Sequence, residues 1–354
     1  MNSRIKKCLA LLEKADCPAL LVSNPLNTVY LTGFSDISGC LLVSLAAKPV
    51  FFTNFLYQKA AARIKNCRVV VAEGSQDLLS LIARTVKALK IKRLGFEPDN
   101  FTYGQYQVLK AKVDGCGLKL AAVKGFVEKL RMIKEPRELK LIKKSVEITR
   151  LALTYAGQIH SQIATEKDLV IEIERFLRLK GDSEIAFNTI VASGGNTVFP
   201  HHFSNHTQIS NKFFLIDLGS KYYGYCADLT RVFFWGKMPI LFKRIYDTVR
   251  KSQAAAIKKI KDGARACDVD LAARRIIEKQ GWGKYFGHGL GHGIGLAVHE
   301  EPRLNSKNTA VLKEGMVVTV EPAVYFKNQF GIRIEDMVLV KKNHSEVLSG
   351  DIHR

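Results

Sequence analysis

The sequence predicts two domains in series: an α/β domain over residues 1–125, a linker at 126–136, and an α+β domain over 137–354. Three observations predict this. Helix-like and strand-like segments alternate through the first part. A break at Lys134-Glu135-Pro136 then changes the character of the chain. Beyond it, strand-like runs are flanked by long helices instead of strictly alternating with them, the pattern of an α+β layer arrangement. A chain of 354 residues has room for two or three domains, each with its own core.

The elements follow in order. Residues 4–14 read as an amphipathic helix, with Ile5, Cys8, Leu9, Leu11 and Leu12 at helical spacing. The apolar run 19–22 is a buried strand ended by the turn-forming Ser23-Asn24-Pro25. Residues 40–43 and 50–53 read as two more strands around a break at Ala47-Lys48-Pro49. Another strand at 68–71 precedes a helix over 76–90 and a strand at 93–96. About 120 residues is a comfortable size for one core. Residues 127–133 form a short helical or turn segment, and Pro136 is well placed to open a helix. Helices follow over 137–160 and 166–180, the second after the capping-box pattern Thr165-Glu166-Lys167-Asp168. From 185 onwards, strand-like runs at 213–218, 225–234, 317–320 and 332–340 surround helices at 240–261 and 268–280.

Composition narrows the class. Apolar residues make up 47% and charged residues 25%, the range of a globular protein rather than a disordered one. The N-terminal helix is interrupted by Glu13 and Lys14 and is no signal core, and no run of about 18 apolar residues occurs. The expectation is a soluble, cytoplasmic protein with no membrane partner. Seven scattered cysteines without a CxxC pair suggest reduced, mostly buried thiols, neither a disulfide framework nor a cysteine zinc site. The net charge of +21 is high, but its Lys and Arg are spread along the chain, with short clusters such as Lys258-Lys259 and Lys341-Lys342. No aromatic-interleaved basic stripe accompanies them, so a solvated basic face is expected and no specific nucleic-acid partner.

Chemistry enters with two acidic pairs. Asp217 and Asp228 interrupt strand-like runs, and a hairpin folded about Tyr222 and Tyr223 would set them opposite each other. Opposed residues share a face with Cβ atoms about 4.5–5.5 Å apart, where two carboxylates repel unless a cation lies between them. The same geometry recurs downstream: a hairpin centred on Asn328 sets Glu321 opposite Glu335, each in an apolar strand where an unpaired charge is costly. By alternation Cys226 shares the face of Asp228, with packing its expected role. Between the pairs lies His288-Gly289-Leu290-Gly291-His292-Gly293-Ile294-Gly295-Leu296-Ala297-Val298-His299-Glu300, whose glycines permit close approach to a site. It lacks the HExxH pattern of helical zinc sites. Four carboxylates with one histidine suit a hard divalent ion such as Mn²⁺, with Co²⁺ and Zn²⁺ also compatible, and suffice to bridge two ions.

Together these motifs resemble the creatinase/aminopeptidase P/prolidase family of pita-bread metallopeptidases. The resemblance spans nearly the whole chain, through Leu20-Leu21-Val22-Ser23-Asn24-Pro25, Asp217-Leu218-Gly219, Asp228-Leu229-Thr230-Arg231, the histidine segment, Val320-Glu321-Pro322 and Gly331-Ile332-Arg333-Ile334-Glu335-Asp336. It implies a creatinase-like N-terminal α/β domain and a catalytic pita-bread α+β domain. It also implies that Asp217 binds one metal, His292 and Glu321 the other, and that Asp228 and Glu335 bridge both. A water between the ions would attack the scissile carbonyl, with Glu321 orienting or deprotonating it. His201 and His299 would contact the substrate or polarise that carbonyl, while His288 and Arg333 would line the proline side, with Tyr325 behind them. His202 and Ala323 stand where many relatives carry glycine; neither change removes a ligand. The activity implied is hydrolysis of Xaa-Pro bonds in proline-containing peptides, aminopeptidase P-like, with Xaa-Pro dipeptidase (prolidase) as the alternative and a homodimer as the assembly. Methionine aminopeptidase shares the ligand logic but not the extra N-terminal domain. A non-catalytic RNA- or ribosome-binding protein on the same fold is the reading from another class.

Overall fold

A computed structural model describes residues 2–35, 37–74, 76–115, 117–180, 183–209 and 213–350. The chain divides into two compact units, residues 1–131 and 132–354.

The first unit is a six-stranded mixed sheet, β1 (Ala19–Val22), β2 (Cys40–Ser44), β3 (Ala47–Asn54), β4 (Arg68–Ala72), β5 (Arg93–Phe96) and β6 (Lys119–Ala122), in the order β4-β3-β2-β1-β5-β6. Its helices are α1 (Ser3–Lys14), α2 (Pro25–Thr32), α3 (Gln58–Ala61), α4 (Leu78–Ala88), α5 (Tyr103–Val113) and α6 (Phe126–Arg131). Leu21, Leu42 and Phe52 of the sheet pack with Ile82 and Val86 of α4 and Leu109 of α5.

Two sequence expectations change here. The Ala47-Lys48-Pro49 segment is no break: β3 begins at Ala47, and the register slips between Leu42 and Ser44 of β2. The extra residue falls in β3 beside Pro49, where a residue without an N–H is tolerated because a bulge leaves its position unpaired. The Ser23-Asn24-Pro25 turn is also the start of α2. Asn24 accepts from the amides of Leu26 and Asn27, and Pro25 occupies the first turn, where its missing N–H costs nothing. α5, which no sequence expectation covers, is capped by a reciprocal Thr102–Gln105 box.

The second unit carries α7 (Pro136–Ile159), α8 (Glu166–Leu179), α9 (Ile240–Lys259) and α10 (Ala266–Lys279) around several small sheets. Their strands are β7 (Ser183–Ile185), β8 (Ile190–Ser193), β9 (Phe213–Leu218), β10 (Ser220–Tyr222), β11 (Tyr225–Cys226), β12 (Leu229–Phe234), β13 (Gly291–Gly293), β14 (Glu300–Leu304), β15 (Val317–Val320), β16 (Ala323–Phe326), β17 (Phe330–Arg333), β18 (Asp336–Val340) and β19 (Ser345–Val347). The sheets run β12-β9-β8, β11-β10-β7, β14-β13-β15-β18-β19 and β16-β17. Val249, Ala256 and Ile277 of the helices pack against Val318, Ile332 and Val338 of the strands in one apolar cluster.

The run 225–234 is split at Ala227 and Asp228, and the run 332–340 at Ile334 and Glu335. The first hairpin also has a different register from the one expected. Tyr222 pairs with Tyr225, so the turn is Tyr223-Gly224, both at positive φ, as a tight two-residue hairpin requires. Asp217 therefore faces Thr230, and Asp228 lies two positions earlier in the irregular stretch before β12. The second hairpin has the expected register. Val320 pairs with Asp336 and Ala323 with Arg333, which sets Glu321 against Glu335 where one ladder hands over to the next. Its turn is centred on Asn328, at φ +63.

The cysteines of the described residues are free thiols; Cys116 lies outside those residues. Among the described residues no helix is long and apolar enough to cross a membrane.

Candidate metal centre

His292 occupies the middle of β13, the strand held between β14 and β15. A Cβ on Gly291 would fall inside the carbonyl of Thr319, and one on Gly293 inside that of Glu301. Only glycine on both sides lets the neighbouring backbones close around this histidine. Its Nδ1 donates to the carbonyl of Gly293 at 3.0 Å, which leaves Nε2 as the free acceptor. That atom lies 3.4 Å from Glu321 Oε1 and 3.8 Å from Asp228 Oδ2. Asp228, His292 and Glu335 are all buried, with ligand atoms within 4.8 Å of one another.

Asp217 joins this group through Arg333, whose Nη2 donates to its Oδ2 at 2.7 Å. Arg333 is buried and commits its other donors to the Tyr325 hydroxyl at 2.7 Å, Thr230 Oγ1 at 3.1 Å and the Pro200 carbonyl at 3.2 Å. Thr230, opposite Asp217, donates in turn to Glu335 Oε2 at 2.8 Å. Two carboxylate oxygens, Asp217 Oδ1 and Glu335 Oε1, are buried with no hydrogen-bond partner among the described residues.

The electrostatics would favour a bound cation. Burial, reinforced by the like charges of its carboxylate neighbours, pushes Asp228 well above the usual carboxylate range, and Glu335 likewise. Burial with the charge of Asp217 pushes Glu321 up to about 7. Burial drives His292 down to about 3 and His288 to about 4, so both imidazoles are neutral near pH 7. Four carboxylates, two unsatisfied oxygens and a neutral imidazole nitrogen form a donor set that a divalent cation would satisfy.

The remaining expected site residues lie around this group. His299 is exposed, its ring perpendicular to that of His292 with centroids 4.5 Å apart. His201 is exposed next to Pro200, the residue Arg333 holds. His288 points Nδ1 to the carbonyl of Gly289, leaves Nε2 buried without a partner among the described residues, and tilts against Tyr325 at 5.8 Å. Cys226 is outside the ligand group, with Sγ 3.7 Å from the carbonyl of Leu296.

One participant carries no sequence signal of its role. Glu166, wholly buried, accepts from Ser193 N at 2.7 Å and Asn196 Nδ2 at 2.9 Å through one oxygen. Its other oxygen accepts from His202 Nε2 at 2.7 Å and Asn205 N at 3.3 Å. It thus clamps both ends of the 193–205 loop that presents His201. An acidic residue in a first helical turn is expected for capping alone, so no local signal marked it.

Clustered carboxylates with one free imidazole on this α+β unit form the donor set of a candidate divalent-metal site. Residues 140–342 match the metallopeptidase family M24 and residues 4–133 the creatinase/prolidase N-terminal domain, and the chain belongs to that family. An uncharacterised peptidase of Methanocaldococcus jannaschii is 42% identical, the alignment covering 99% of this chain and 96% of the relative. Among solved structures, the Xaa-Pro dipeptidase from Bacillus anthracis is 33% identical with a TM-score of 0.92, covering 98% and 97% of the two chains. The X-Pro aminopeptidase from Thermotoga maritima MSB8 is 32% identical with a TM-score of 0.86, covering 96% and 97%.

Proposed function

We propose that this chain is a metal-dependent exopeptidase that hydrolyses the bond preceding proline, with aminopeptidase P-like preference. The carrying observation is the group of Asp217, Asp228, His292, Glu321 and Glu335, two of whose oxygens are buried without a hydrogen-bond partner among the described residues. In this reading Asp217 would hold one divalent ion and His292 with Glu321 the other, with Asp228 and Glu335 serving both. The oxygen-rich set favours Mn²⁺, with Co²⁺ and Zn²⁺ as the other candidates. Cations bound there supply Lewis acidity and lower the proton affinity of water.

The protein's own groups do the rest. Glu321 would orient the attacking water, accept its proton and return it to the leaving nitrogen. His299 and His201 donate hydrogen bonds to the scissile carbonyl as charge develops on its oxygen. Partial desolvation of the ring, with Arg303 and His201 adding, holds His299 below its ordinary value. His288 and Tyr325 wall the proline side. Arg333, already bonded to four partners, acts there through Tyr325 and the Pro200 carbonyl. The reading includes a cytoplasmic location and a homodimer, the latter checked by sedimentation velocity.

Similarity to the Bacillus anthracis dipeptidase favours a second reading, activity confined to Xaa-Pro. Paired assays on Xaa-Pro and Xaa-Pro-Yaa-Zaa peptides separate the two. Cleavage of the longer peptide, lost in chelator and restored by Mn²⁺, supports the aminopeptidase. Cleavage of the dipeptide alone replaces it with the dipeptidase, and cleavage of neither sinks both.

A further inference from the structure

The peptidase reading leaves the charge of the chain unexplained, and α9 concentrates part of it. From residue 237 to 261 there are eight Lys and Arg against one acidic residue, Asp247. Two cavities flank this helix. One, of about 780 Å³, has Met238, Ile240 and Ile276 among its lining, with Lys237, Lys243 and Arg244 around them. The other, of about 590 Å³, has Ile257 and Val347 beside Arg250 and Lys251. Asp247 and Lys251 line both, so the two hollows meet across the exposed helix face.

The acids present are already engaged. Asp247 pairs with Lys243 at 2.6 Å, and Asp336, at the edge of the smaller cavity, pairs with Arg231 at 2.6 Å and accepts from Ser349 at 2.6 Å. Arg250 has no such partner: its Nε is buried without a hydrogen bond among the described residues. An apolar side chain stands in the same surface, since Ile240 is 89% exposed and Leu241 51%. Exposed isoleucine ringed by cations that outnumber the acids beside them is a pattern for recognising an apolar group next to negative charge.

We propose that the exposed face of α9 with its two cavities is a docking surface for an acidic peptide segment of a partner protein. An apolar side chain of that segment seats against Met238, Ile240 and Ile276, and its carboxylates meet Arg250, Lys251 and Arg244. A second copy of this chain is a poor occupant, because pairing like faces would bring the same cations together. Nucleic acid is a poorer one, because no aromatic side chain lines either cavity to stack a base.

The test is fluorescence anisotropy with the full chain and a labelled acidic peptide carrying leucine at every third position. Binding that weakens as salt rises is expected. Lys243→Glu with Arg244→Glu should weaken it about tenfold or more, and Ile240→Ser, which leaves the charge untouched, about tenfold. Arg84→Glu with Lys87→Glu, the same charge change on exposed residues of the other unit, should leave it within about twofold. An equal loss in that control overturns the proposal in favour of general charge attraction. So does an ineffective Ile240→Ser variant, or an oligouridine that competes as tightly as the peptide. Self-association abolished by Lys243→Glu with Arg244→Glu would assign the face to a second copy instead.

Discussion

With divalent cations stripped away, Glu321→Gln should make the protein more stable at pH 8 and leave it almost unchanged near pH 4.5. The Glu321 carboxyl is buried beside Asp217, and its pKa rises from 4.5 to about 7. A carboxyl whose folded pKa is raised contributes stability that is fully present below its unfolded pKa and lost as pH rises through the folded one. For this shift the loss amounts to roughly 3 kcal/mol between pH 4.5 and 8. Glutamine mimics the protonated carboxyl and does not titrate. The neutral-held His288 and His292 are common to both proteins, so their acid-side contribution cancels in the difference. Denaturant unfolding in chelator should therefore show the variant gaining on wild type by about 3 kcal/mol across that range, or roughly 6 °C in a thermal scan. Saturating Mn²⁺ should reverse the order, because wild type keeps a ligand that the variant lacks. A variant no more stable than wild type at pH 8 in chelator would refute the account of a cluster strained by its own charge.

Other outcomes follow from the same geometry. Glu335→Ala should lower kcat/KM by at least about 10³-fold, beyond the 10–100-fold typical of residues that only support a ligand, with metal content by mass spectrometry falling in parallel. Arg333→Met leaves Asp217 and Tyr325 unpaired and should cost about 3–5 kcal/mol in chelator, measured by urea unfolding, and less when Mn²⁺ neutralises the cluster. Glu166→Gln should reduce kcat/KM about tenfold or more through the 193–205 loop while metal content stays at the wild-type level; parallel loss of metal would place Glu166 in the ligand network instead.

Much of this protein is decided by short-range pattern. The apolar runs and caps locate α1, α7, α8, β1 and β5 closely, because a strand or helix that must bury one face announces its period in sequence. The pairing of Glu321 with Glu335 was legible for a similar reason. A three-residue loop centred on Asn328, a residue that tolerates positive φ, sets one register for the ladders on either side of both residues. The Asp217 hairpin was legible only in outline, since its tight turn at Tyr223-Gly224 shifts every pairing and a single residue of turn placement moves an opposed partner by two.

Tertiary structure alone decided the rest. Neither the Arg333 bonds to Asp217 and Pro200 nor the four contacts of Glu166 has any local signature, since each joins residues far apart in sequence. The same is true of the metal centre's distinctive chemistry. Asp228, Glu321 and Glu335 come from separate segments; folding buries their carboxyls together, and burial with neighbouring carboxylate charge raises all three above the ordinary range.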